Sequence, residues 1–226
     1  MWARAFGSLV FRSSCYAAMV WMALIAEARP APTLPDAVLP HVPYVAWVSR
    51  YNYLLWLGAY LPVALWLFRA APERFIRYMV SGGLLGLARG LCILATGLGP
   101  VYGRDLHAGM DNAARLRAFF DLGTPWGLFN PDAGLRLYLT KDLFFSGHTA
   151  TTFLLLLYVW PWLRMRWVML ALHLLVVASV FLSHLHYTID VIGAYAVTFC
   201  VFALREWKVS ELLASPDSDS DSAGPR

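Results

Sequence analysis

Apolar residues run through this chain in long blocks rather than in alternation, and six blocks approach the roughly 20 residues that a helix needs to cross a bilayer. They cover 5–26, 44–68, 75–98, 143–160, 167–182 and 187–204, the fifth being the shortest. The link after the first block, ARPAPTLPDAVLPHVP, holds too much proline to be helical. The stretch 99–141 reads as one long loop carrying charges, aromatics and glycines. The final SPDSDSDSAGPR is acidic, rich in serine and free of large apolar side chains, which predicts disorder. The pattern therefore predicts an all-α polytopic membrane protein. Six transmembrane helices form one bundle over 1–208, and a disordered tail follows at 209–226.

Composition agrees. Of 226 residues, 59% are apolar and only 14% charged, against about 25% charged in an ordinary soluble domain. Mean hydropathy is +0.56. The net charge of +4 matters less than its placement, and no basic stripe interleaved with aromatics suggests a nucleic-acid partner. Cys15, Cys92 and Cys200 each sit inside an apolar run and read as small packing residues.

Basic residues in short loops orient a bundle. Arg4, Arg12, Arg69, Arg74, Arg77, Arg164, Arg166, Arg205 and Lys208 fall on one side; only Arg29 and Arg50, plus Lys141 at the end of the long loop, fall on the other. Both termini are thus expected in the cytoplasm, with 27–43, 99–141 and 183–186 outside. The first block also has features of a secretory signal, with Arg4 and Arg12 before it and Ala-Glu-Ala at its end. Its length and the Arg29-Pro30 pair favour an uncleaved helix.

The candidate chemistry lies at the outer mouths of two blocks, in KDLFFSGHTATTF and SHLHYTID. His186 and Asp190 are four apart, so on a helix the carboxylate reaches one ring nitrogen and leaves the other more basic. His148 follows Ser146 and Gly147, where a helix start offers amides to an anion and the glycine admits a close neighbour. Arg89 lies deep in the third block between glycines, placed to clamp a phosphate or to snorkel to the interface. Asp142 either orients His148 or caps the fourth helix, and Lys141 reads as an interfacial anchor. Tyr102, Trp126, Phe129 and Tyr138 form either a box for a quaternary ammonium or an interfacial belt. Each histidine alone, including His184, has the alternative reading of a hydrogen-bonding cap. Their clustering with carboxylates at one membrane face points to a site instead. Histidines and carboxylates also ligate metals, but the spacing matches no standard zinc pattern, and the glycine-serine seat suits an oxyanion.

DLFFSGHT and HYTIDV resemble the paired signatures of the sphingomyelin synthase family, within the type 2 phosphatidic acid phosphatase superfamily. Leu34-Pro35-Asp36, the ARGLCILATGLGP stretch and the six-span layout are similar as well. The resemblance implies a catalytic triad of His148, His186 and Asp190, with no metal or cofactor. It further implies transfer of a phospho-head group from a glycerophospholipid to ceramide or a diacylglycerol-type acceptor through a phosphohistidine; the loop charges put that site on the exoplasmic side. Homo-oligomers are compatible with it. Val180 stands where the broader phosphatases carry an arginine, although Ser179 is kept, which shifts weight from phosphatase to transferase. The alternatives are a lipid phosphate phosphatase or phospholipase C-like hydrolase using the same residues, and a non-catalytic lipid-binding protein.

Overall fold

A computed structural model describes residues 1–101, 105, 107–123 and 139–213, with only the backbone described over 207–213. Among the described residues the fold is entirely helical. Seven α-helices follow in order: α1 (Trp2–Glu27), α2 (Ala46–Ala70), α3 (Pro72–Ala95), α4 (Asn112–Gly123), α5 (Gly147–Val159), α6 (Leu163–Leu182) and α7 (Thr188–Leu213). A short 3-10 turn, Leu39–His41, interrupts the proline-rich link.

Five helices, α1, α2, α3, α6 and α7, are long and apolar enough to cross a membrane. The fourth apolar block is different. Its helix starts at Gly147, not at residue 143, and its 13 residues span about 20 Å. The Ser146 hydroxyl accepts the Thr149 amide proton at 3.4 Å and so caps α5. The apolar residues before it stay irregular because α3 takes up their carbonyls, as described below. At the other end of the chain, α7 continues to Leu213, past the position where the tail was expected to begin.

The long loop also holds a helix that its polar composition hides. Asp111 Oδ1 accepts the Ala114 amide proton at 2.7 Å and starts α4. Ala118, with Phe119 and Leu122, then packs on Met19, Val20 and Ala23 of α1.

Ion pairs show which ends lie together. Arg4 pairs with Glu73 at 2.9 Å, and Arg77 with Glu206 at 3.1 Å. Arg74 donates to the Tyr158 carbonyl at 3.3 Å. The starts of α1 and α3 and the ends of α5 and α7 therefore share one end of the bundle. The proline-rich link, the turn before α5 and the α6–α7 turn share the other. Arg12 departs from the boundary charges with which it was grouped: it lies within α1 and its guanidinium stands over the rings of Tyr60 and Tyr78.

The short α5 is the axis of the bundle. Leu154, Leu155, Leu156, Tyr158 and Val159 pack with Leu67, Tyr78, Met79, Met169 and Ala194 from α2, α3, α6 and α7. Outward-facing side chains such as Leu65, Leu91, Leu174, Ile192 and Leu204 remain apolar. In lipid those outer residues gain nothing by meeting another helix, so close packing and polar contacts hold the helices together.

Candidate active site

The two motifs meet through the backbone. The Ser146 amide donates to the Asp190 carbonyl at 3.0 Å, which joins the start of α5 to the first turn of α7. His186 Nδ1–H faces Asp190 Oδ2 at 3.4 Å, and the same oxygen accepts the Tyr187 amide proton at 2.9 Å. Asp190 is fully buried, with Oδ1 unpartnered, and His186 is buried beside it. The carboxylate thus fixes the proton on Nδ1 and leaves Nε2 of His186 with a free lone pair.

His148 opens α5 on the other side of that junction. Its Nε2 is buried and has no hydrogen-bond partner. Its ring meets Trp56 edge-on, 5.5 Å between centroids. His148, His186 and Arg89 are close enough to interact electrostatically.

Arg89 is buried, and its donors are already engaged. Nε donates to the Phe145 carbonyl at 2.6 Å, and Nη2 to the Asp142 carbonyl and, at 3.0 Å, to Asp142 Oδ2. Nη1 meets Met19 Sδ at 3.2 Å. A Cβ on Gly147 would lie 3.2 Å from Arg89 Nε, so the guanidinium is the close neighbour that this glycine admits. The arginine shapes the irregular turn 142–146 from behind. Asp142 takes neither of its two expected courses: Ser146 caps α5, and the Asp142 carboxylate pairs with Arg89.

Lys141 is not an interfacial anchor. Its ammonium is buried, pairs with Asp105 at 2.6 Å, and donates to the carbonyls of Glu27 and Arg29 at 2.8 and 2.6 Å. Glu27 carboxylate oxygens accept from the Thr140 amide and hydroxyl and the Lys141 amide. The end of α1 therefore holds the approach to the turn before α5. His184 faces elsewhere, donating from Nε2 to the Val42 carbonyl at 3.0 Å. The proposed head-group residues Tyr102, Trp126 and Tyr138, with Phe129, lie outside the described residues.

Two further groups, neither of them among the site residues expected from the sequence, support the two motifs. Thr152 Oγ1–H donates to the His148 carbonyl at 2.8 Å, so it accepts from His173 Nδ1–H at 2.8 Å, and His173 Nε2 accepts the Tyr195 hydroxyl at 2.7 Å. This chain of hydrogen bonds ties the first turns of α5 to α6 and α7. A single histidine in an apolar block gives no sign of it.

Asp36 is the second. Its carboxylate accepts the Thr188 amide at 2.6 Å and hydroxyl at 2.9 Å, and the Val38 and Leu39 amides at 2.8 and 3.1 Å. It caps α7 from the distant link and so sets where His186 and Asp190 stand. Burial pushes its carboxyl up, but the donated hydrogen bonds from Thr188, Leu39 and Val38 outweigh that and hold it below the usual carboxylate range. A depressed native value means the stabilisation is present above the unfolded-state pKa of about 4 and is lost as pH falls through the lower native value. Asp36→Asn is expected to cost about 2 kcal/mol at pH 7, the scale of lost capping and charge-assisted bonds. The gap between the melting curves of variant and wild type should close below pH 4. A gap that stays constant with pH would remove the carboxylate from this role.

Comparison with known proteins bears on the segment that carries both motifs. The family described as PAP2 superfamily C-terminal matches residues 141–207, the segment holding both motifs. The chain is also similar to phosphatidylcholine:ceramide cholinephosphotransferase 1 of Mus musculus, 26% identical over 220 residues, covering 89% of this chain and 51% of that protein. Phosphatidylcholine:ceramide cholinephosphotransferase 2 of Rattus norvegicus is 30% identical over 184 residues, covering 74% and 48%. The human type 2 protein is 28% identical over the same length. The chain spans about half the length of the curated relatives it matches. These likenesses bear out the resemblance to sphingomyelin synthases that the PAP2 motifs carried.

Proposed function

We propose that this chain is a membrane phosphotransferase that moves phosphocholine or phosphoethanolamine from a glycerophospholipid to ceramide, releasing diacylglycerol. The observation that carries the reading is the junction at Asp190. Its carbonyl receives the α5 turn that bears His148, and its carboxylate faces Nδ1 of His186. The superfamily match over both motifs and the names of the similar proteins support the substrate class.

In the first step the His186 Nε2 lone pair attacks phosphorus of the donor. The bond to the diacylglycerol oxygen breaks, and protonated His148 gives that oxygen its proton. In the second step neutral His148 takes the proton of the ceramide hydroxyl, whose oxygen attacks phosphorus and returns the electron pair to His186 Nε2. The α5 amides stabilise the phosphoryl oxygens, and Arg89 supports them by holding the turn 142–146 rather than by clamping phosphate itself. In this reading α5 is the short central crossing of six and both termini lie in the cytoplasm; the basic residues of the short loops support an exoplasmic site.

The test gives purified protein a labelled phosphatidylcholine, with and without ceramide, in excess chelator. A labelled sphingophospholipid formed only with ceramide is the expected result. Free phosphocholine released regardless of acceptor would replace this reading with a hydrolase using the same histidines.

A further inference from the structure

Arg12 has no role in the mechanism above, yet its position is costly. It lies ten residues into α1, about 15 Å along the helix axis, and an ionisable group at such depth marks function. Its guanidinium carbon stands 4.8 Å from the centre of the Tyr78 ring and 5.7 Å from that of Tyr60. Nη1 is buried and in hydrogen-bond geometry with no group; the Tyr78 hydroxyl, which interacts with Arg12 and Tyr60, likewise has no bond of good geometry. Among the described residues no carboxylate pairs with Arg12. A Cβ on Gly82 would collide with Nη1, so the absence of a side chain on α3 makes room for the cation.

A row of rings connects this cation to the candidate active site. His148 lies 5.5 Å from Trp56, Trp56 stacks on Tyr60 at 5.3 Å, and Tyr60 is the ring beneath Arg12. Trp56 Nε1 and His148 Nε2 are likewise buried and unpartnered. The row follows the seam between α1 and α2, which both pack on α3. The seam is open to lipid at Tyr16 and Tyr53, which are 52% and 38% exposed.

We propose that this seam seats the acyl-linkage region of the lipid substrate, with Arg12 Nη1 donating a hydrogen bond to its ester or amide carbonyl. The proposal rests on the lipid phosphotransferase reading. A guanidinium N–H without a partner in a medium of low dielectric requires an acceptor oxygen. The lipid carries such an oxygen near its head group: an ester carbonyl lies six bonds from phosphorus, roughly 7 Å when extended. Ceramide carries the same acceptor as an amide. The aromatic ladder of Tyr53, Trp56 and Tyr60 then flanks the start of the acyl chains.

The test is equilibrium binding to the full-length protein in lipid nanodiscs. The probes are labelled diacyl-phosphatidylcholine, its dialkyl ether analogue without carbonyls, and labelled ceramide. Wild type should bind the diacyl lipid about tenfold tighter than the dialkyl one, the scale of one hydrogen bond from a charged donor. Arg12→Met should lose that preference. A parallel loss of ceramide affinity would show that Arg12 also receives the amide; unchanged ceramide affinity would restrict the seat to the ester donor. Equal binding of both phospholipids by wild type would overturn the proposal without any variant, should Arg12→Met fail to fold. A preference retained by Arg12→Met would overturn it as well. Because binding is read apart from turnover, a protein that discriminates carbonyls but transfers nothing would sink the transferase reading and leave the seat standing.

Discussion

His186→Ala will lose transfer by roughly four orders of magnitude or more, the scale of removing a nucleophile from a catalytic unit. The geometry behind this is the carboxylate of Asp190, fully buried and 3.4 Å from Nδ1. With the ring proton held there, Nε2 is the only nucleophilic atom of the ring. The same step leaves a trace that a merely structural histidine would not. Wild-type protein given labelled phosphatidylcholine without acceptor, then quenched in base, should carry label on residue 186 as an acid-labile phosphoramidate. His186→Ala should carry none. Wild-type-like transfer by the variant, or label elsewhere in the chain, would sink the nucleophile assignment. Asp190→Asn should retain more activity than His186→Ala, because the imidazole survives while its tautomer and aim do not.

The features that were legible in the sequence are those written in local patterns. Five of the six apolar blocks form helices of spanning length because a continuous apolar run in lipid must satisfy its own backbone. The spacing of His186 and Asp190 made their pairing legible, although α7 starts at Thr188 and His186 meets the carboxylate from the turn before the helix rather than from its face. The turn before α5 was illegible because Leu143, Phe144 and Phe145 are as apolar as a helix interior. What keeps them irregular is Arg89, more than fifty residues earlier, whose donors reach the carbonyls of Asp142 and Phe145. The depth of Arg89 was readable; that its partners would be backbone oxygens was not. Asp36 and His173 illustrate the same limit, since each acts through residues brought near only by the fold. The α4 helix, by contrast, has a readable signal: Asp111 as cap and an amphipathic run from Asn112, masked by the charges and glycines around it. Lys141 resembles an anchor because it is a lysine before an apolar block. A buried ammonium instead requires an acid and carbonyls, here those of Asp105, Glu27 and Arg29.

His148→Ala should separate the two chemical steps. General acid–base assistance is worth about 10²–10⁴ in rate, and His148 supplies it twice, once to the leaving oxygen and once from the acceptor. A donor with an activated leaving group, such as p-nitrophenyl phosphocholine, needs no proton in the first step. With that donor His148→Ala should still release nitrophenol in a burst and accumulate phosphohistidine at 186, because the acceptor hydroxyl no longer finds a base. With phosphatidylcholine the first step should itself be slow, so that little intermediate forms. The fold should tolerate the change: His148 Nε2 has no partner to orphan, and the ring gives up chiefly its edge-on packing against Trp56. A melting temperature within a few degrees of wild type is therefore expected, alongside the kinetic loss. Equal losses with both donors, with no burst and no trapped intermediate, would mean that His148 binds substrate rather than moving protons, and that another group serves as acid and base.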